Sequence, residues 1–159
     1  MLTIDEDKTS EEAFAIAVKY ISYRPRTEQE TRERLLKRYS NHIVEVVIAR
    51  CHDNNFLNDQ KFSELWVESR TNSKPKSAFM IRRELISKGI SQRIAEEAIQ
   101  SVDDNVNALS AAEKKTRSIN HLPKDKFIKK LMNHLLRKGF SGDVVRETVT
   151  IAWLKRNDG

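Results

Sequence analysis

The side chains able to bind a metal are one cysteine, Cys51, and four histidines, His42, His52, His121 and His134. A zinc site draws several such ligands onto one point. Cys51 and His52 are adjacent, so on a helix they point about 100° apart. No Cys-x-x-Cys pair or His-Glu-x-x-His motif brings the others together. The paired carboxylates Glu11-Glu12, Glu96-Glu97 and Asp103-Asp104 diverge in the same way and do not define an acid–base pair. A phosphate-cradling loop needs clustered glycines after a strand. Gly89, Gly139, Gly142 and Gly159 are scattered and follow no strand pattern. No catalytic site, metal or cofactor is expected, and the chain reads as non-enzymatic.

Charge offers a different chemistry. Residues 1–56 carry a net −1, residues 57–106 a net 0 and residues 107–159 a net +7, which accounts for the overall +6. An anionic partner is expected to meet the last third. On a helix over residues 124–138, Phe127, Leu131, Leu135 and Ile128 share one arc. Lys129, Asn133, Lys126, Arg137 and Lys130 fall on the opposite side, in a stripe about 16 Å long. A lysine-rich face can also be merely solubilising. The uneven charge along the chain favours binding, with Lys126, Lys129, Lys130 and Arg137 as first candidates and Arg82 and Arg83 next.

A repeated element must position that stripe. Glu33-Arg34-Leu35-Leu36-Lys37-Arg38-Tyr39-Ser40, Arg83-Glu84-Leu85-Ile86-Ser87-Lys88-Gly89-Ile90-Ser91 and Asn133-His134-Leu135-Leu136-Arg137-Lys138-Gly139-Phe140-Ser141 stand 50 residues apart without a gap. Each reads as one helix ending and another beginning. A basic residue suits the carbonyl end, Gly89 or Gly139 takes the left-handed cap, and Ser91 or Ser141 caps the next helix. Tyr39 fills the glycine slot of the first copy. A fixed period of this size marks an array of small units sharing faces.

Nine helices in three groups of three follow, an all-α fold. The expected divisions are an N-terminal tail (1–10) and repeats at 11–56, 57–104 and 105–156. Capping boxes at Thr9-Ser10-Glu11-Glu12 and Thr27-Glu28-Gln29-Glu30 open the first two helices, and Pro25 stops the first. Asn41 is expected to cap the third, and Asn58-Asp59 the fourth. Phe62, Leu65, Trp66 and Ser69 then share one side, and the sixth helix ends near Asp103-Asp104. Val106, Leu109 and Ala112 mark the seventh. Phe14, Phe62, Phe127, Phe140 and Trp153 read as core residues. Phe79 and Met80 fall partly off the buried arc and suit a repeat-to-repeat contact or a partner surface. No apolar run approaches a membrane span. The acidic Met1–Glu12 stretch does not resemble a signal peptide. With a single cysteine, a cytoplasmic location is expected.

The order and spacing of these motifs resemble the RecX family of regulators of the RecA recombinase. The resemblance rests on Asn58-Asp59 with Phe62, on Ile81-Arg82-Arg83-Glu84-Leu85 running into Lys88-Gly89-Ile90, and on Leu135-Leu136-Arg137-Lys138-Gly139-Phe140. Ala13 to Ile21 with Tyr23-Arg24-Pro25-Arg26-Thr27 and Glu30 resembles the family's first repeat. Two departures are Tyr39, where a glycine is usual, and Ser77, where a glycine often precedes the middle helix. The resemblance implies three tandem three-helix repeats in an elongated, curved array. It also implies a monomer that lodges in the groove of the RecA–single-stranded-DNA filament. There it would hinder ATP hydrolysis, strand exchange and coprotease activity, in recombination, DNA repair and the SOS response. The implied partners are the RecA filament and single- or double-stranded DNA. Two other readings stay open: a direct DNA- or RNA-binding module using the basic third repeat, and a structural adaptor for an unrelated partner.

Overall fold

The computed structural model describes residues 3–157. Among them are nine helices and no strands: α1 (Ile4–Tyr23), α2 (Glu28–Leu36), α3 (Asn41–Asp53), α4 (Asp59–Asn72), α5 (Ala78–Ser87), α6 (Gln92–Ile99), α7 (Asp104–Ile119), α8 (Lys124–Arg137) and α9 (Gly142–Asn157). The chain divides into two compact units, Met1–Glu64 with Leu85–Ala95, and Leu65–Glu84 with Glu96–Gly159. The middle repeat is thus shared between the units.

The core follows the fifty-residue period. The middle helices bury Thr27, Thr31 and Leu35, then Ser77, Ile81 and Leu85, then Phe127, Leu131 and Leu135. Each trio has the i, i+4, i+8 spacing of one helical face. In the first unit they join Ala13, Ala17, Val44, Val47 and Cys51. In the second, Phe127, Leu131 and Leu135 pack with Ala108, Ala111, Ala112, Phe140 and Val145. Trp153 meets Phe127 edge-on, their ring centroids 5.5 Å apart.

Both glycine joints form as expected. At the α5–α6 joint the Ile90 N–H donates to Leu85 O (3.1 Å) and the Gly89 N–H to Ile86 O (3.0 Å). Phe140 and Gly139 repeat the pattern onto Leu135 and Leu136. These are Schellman caps, with the glycines at φ +86° and +89°. Ser91 and Ser141 accept from the Ile94 and Val144 N–H groups, each at 3.3 Å. The glycines serve a second purpose. A Cβ on Gly89 would lie 2.4 Å from Gln29 Cβ, and one on Gly139 would lie 3.0 Å from Met80 Cβ. Each joint therefore receives the start of the preceding repeat's middle helix at backbone distance. Thr27 Oγ1 donates to Lys88 O (2.7 Å), and the Ser77 N–H donates to Lys138 O (3.1 Å). Asp59 accepts from the Glu28 N–H (2.9 Å) and Asp104 from the Ala78 N–H (2.8 Å), so each following repeat also caps the helix it receives.

Several local expectations need correction. The first helix begins at Ile4, capped by a Thr3–Glu6 box. Thr9 lies within it and turns its hydroxyl back to Asp5 O (2.8 Å). Nothing between Ile4 and Thr9 breaks a helix, so the earlier box of identical spacing prevails. Ser40, not Asn41, caps α3, accepting from the Ile43 N–H at 3.4 Å. On α4 the buried residues are Phe62, Ser63 and Val67, with Leu65 and Ser69 exposed. α6 ends at Ile99, and Asp103 instead caps α7, accepting from the Asn105 and Val106 N–H groups. α7 buries its alanines and leaves Val106 exposed, because small residues let α8 and α9 approach closely. The Thr27–Glu30 box and the stop at Tyr23 stand as expected. Met80 meets the Gly139 joint, whereas Phe79 is exposed beneath the Arg83 guanidinium.

Candidate interaction surface

α8 turns Phe127, Leu131 and Leu135 inward, which fixes what its other face must show. Lys126, Lys129, Asn133, Lys130 and Arg137 are all exposed. None of the four cations meets a carboxylate within ion-pair distance among the described residues. Beside them Ile128, Met132 and Leu136 line a shallow depression of about 300 Å³ with Asp125, Lys129 and Asn133. The α8 N-terminus follows Pro123 and has no side-chain cap. Lysines at Lys124 and Lys126 therefore sit at the positive end of the helix dipole, where a cation costs up to about 1 kcal/mol. Asp125 in the same turn and the Trp153 ring, its centroid 5.6 Å from the Lys124 ammonium, offset part of that cost.

Arg82 and Arg83 are separate from this stripe, on α5. Arg82 is engaged by Glu96 at 3.2 Å. Arg83 is exposed, its guanidinium 5.8 Å from the Phe79 ring centroid. Of the six residues singled out by charge, four share one face and one is already neutralised.

Counting charge along the sequence passed over a second group. Glu84 accepts from Trp66 Nε1 (2.9 Å), Arg70 Nε (2.8 Å) and the Lys76 ammonium. Burial pushes the Glu84 carboxyl up, but hydrogen bonds from Lys76, Arg70 and Trp66 outweigh it and hold it below the usual carboxylate range. Lys138 lies near the same cations, and burial together with Lys76, Lys74 and Arg70 pushes its ammonium down. Burial, Lys138, Lys115 and Arg137 likewise depress His134, which favours the neutral ring at pH 7. One carboxylate thus organises a cationic zone that begins at the α4–α5 turn and reaches the α8–α9 joint. A helical spacing rule shows only the α8 part of it.

Among the described residues no group of three or more His, Cys, Asp and Glu is placed to hold a metal. No described helix is long and apolar enough to cross a membrane. What remains is a helical-repeat protein whose exposed α8 face is basic and, among the described residues, without ion-pair partners.

The three repeats match, in order, the first (residues 13–51), second (58–99) and third (103–149) three-helix domains of RecX. The regulatory protein RecX of Prosthecochloris aestuarii is 33% identical over 144 residues, covering 90% of this chain and 95% of that protein. Those of Bacillus cytotoxicus and Streptococcus uberis are 33% and 35% identical, and the chain spans about half their length (52% of each). The crystal structure of RecX from Lactobacillus salivarius aligns over 96% of this chain with a TM-score of 0.78 and 26% identity. The chain belongs to the RecX family, whose similar members are named as regulatory proteins.

Proposed function

We propose that this chain regulates the RecA recombinase by binding its filament on single-stranded DNA and lowering ATP turnover, strand exchange and coprotease activity. One observation supports the reading: four cations on one exposed face of α8 have no carboxylate within ion-pair distance among the described residues. A regulator of this kind needs no chemistry of its own. It acts by binding one filament state better than another, and the shift it causes is limited by that difference in affinity. The role belongs to recombination and DNA repair in the cytoplasm, with the SOS response as its setting.

The test is single-stranded-DNA-dependent RecA ATPase with purified protein at substoichiometric amounts. Turnover is expected to fall. Unchanged turnover and unchanged filament length together would sink the proposal. A second reading, direct nucleic-acid binding through the third repeat, draws on the same cations. It predicts binding without RecA that weakens steeply with salt, because phosphate contacts release counterions.

A further inference from the structure

We propose that the first repeat carries its own site for single-stranded nucleic acid, in the groove between the ends of α1 and α2. The groove encloses about 500 Å³ and is lined by Lys19, Arg34, Lys37 and Arg38 together with Ile16, Tyr20, Tyr23 and Tyr39. No acidic side chain lines it. Three other arginines of that unit meet a carboxylate: Arg24 has Glu30 (2.9 Å), Arg32 has Glu45 (3.0 Å) and Arg50 has Glu11. The four cations of the groove have none among the described residues. The neighbouring carboxylates are turned elsewhere, Glu30 to Arg24 and Glu33 to Gln29 Nε2 (3.0 Å).

The tyrosines point to bases. Tyr23 is 74% exposed, which no core packing explains. Tyr20 is ordered from two sides, with Arg26 at 3.9 Å and Arg34 at 5.6 Å from its ring centroid. Arg26 Nε also donates to Tyr20 O at 3.1 Å, which fixes the α1 terminus. Tyr39 packs its inner edge on the first unit's core and shows the rest to the groove. Aromatic faces interleaved with unpaired cations are what an unpaired strand recognises, since bases stack on rings while phosphates meet the charges. A duplex hides its base faces, and an acidic peptide has no use for three phenol rings. The net −1 of residues 1–56 conceals the site, because Asp5, Glu6, Asp7, Glu11 and Glu12 all lie in the first half of α1.

The inference does not rest on RecA, and its test uses none. A fluorescein-labelled deoxythymidine 20-mer is titrated with full-length protein by anisotropy across a salt series. Tyr23→Ala is expected to weaken binding about five-fold or more, the loss of one stacked base. Arg34→Glu with Arg38→Glu is expected to flatten the log–log salt slope by about 1.4, two phosphate contacts on a single strand. All three positions are exposed, and circular dichroism establishes that the variants fold. Photo-crosslinking a 4-thiothymidine strand should label peptides from α1 and α2. Full affinity in both variants overturns the proposal. So does loss confined to Lys129→Glu with Lys130→Glu, equal competition by duplex, or binding of polyglutamate without binding of the oligonucleotide. None of those results touches the ATPase test above.

Discussion

A single methyl group at Gly139 should separate the α8–α9 joint from the helix it receives. Two effects act in Gly139→Ala. The backbone stays at φ +89°, a left-handed geometry that costs an L-residue roughly 1–2 kcal/mol. The new Cβ also lies 2.5 Å from Ser77 Oγ and 3.0 Å from Met80 Cβ. Ser77 must move, which strains its N–H bond to Lys138 O and its cap of the Met80 N–H (both 3.1 Å). Losing one such bond costs about 1 kcal/mol. A stiffer unfolded chain offsets roughly 0.4–1 kcal/mol. The net loss is about 2 kcal/mol, or about 4–8 °C in Tm for a chain of this size. Gly142→Ala is the control: it begins α9, and its Cβ meets only the flexible end of Arg146 at 3.2 Å. There alanine should be neutral or stabilise by up to about 1 kcal/mol. Urea unfolding followed by circular dichroism measures both. If Gly139→Ala is as stable as Gly142→Ala, the joint does not dock a helix as described.

Thr27→Val removes a fully buried hydroxyl that both caps α2 and donates to Lys88 O, and should cost about 2 kcal/mol in the same assay. Glu84→Gln weakens the contacts with Arg70, Lys76 and Trp66 and should cost about 1.5–3 kcal/mol at pH 7. Because the folded Glu84 pKa is depressed, its stabilisation is complete above the unfolded value and lost as pH falls through the folded one. The gap between wild type and Glu84→Gln, measured by urea midpoint, should therefore close below the usual carboxylate range. Lys129→Glu with Lys130→Glu should leave the midpoint within about 0.5 kcal/mol of wild type. It should nevertheless raise the protein needed for half-maximal RecA ATPase inhibition about ten-fold; an unchanged dose would remove α8 from the contact.

The repeat was legible because its signals are local. A Schellman cap spans six residues, so Leu85 to Ile90 declare it in sequence, and the period then places its copy at Leu135. The same locality explains the errors at helix starts. Thr3-x-x-Glu6 and Thr9-x-x-Glu12 carry one spacing, and only the continuity of the helix between them chooses the first. Ser40 and Asn41 are both capping residues, and which side chain reaches the Ile43 N–H depends on chain direction at the joint. Lys126, Lys129, Lys130 and Arg137 could be grouped because one helix carries them. The cations around Glu84 could not, since Arg70, Lys76 and Lys138 come from different elements brought together by the docked joint.

Position 39 shows why a departure from the repeat is informative. At positions 89 and 139 the glycine is required twice, by a left-handed backbone and by a helix start arriving at Cβ distance. At position 39 the backbone condition does not hold. The α2 C-cap, Lys37, is right-handed, Arg38 and Tyr39 both bond back to Leu35 O, and Asn55 is the only described non-glycine residue at positive φ. Without a left-handed backbone a large side chain is allowed there, and Tyr39 packs against the first unit's core and lines the open, cation-lined groove. Arg34, Lys37 and Arg38 beside it meet no carboxylate within ion-pair distance among the described residues. Where a repeat protein loses the constraint that made its copies alike, the freed position is where a binding surface can arise without cost to the fold.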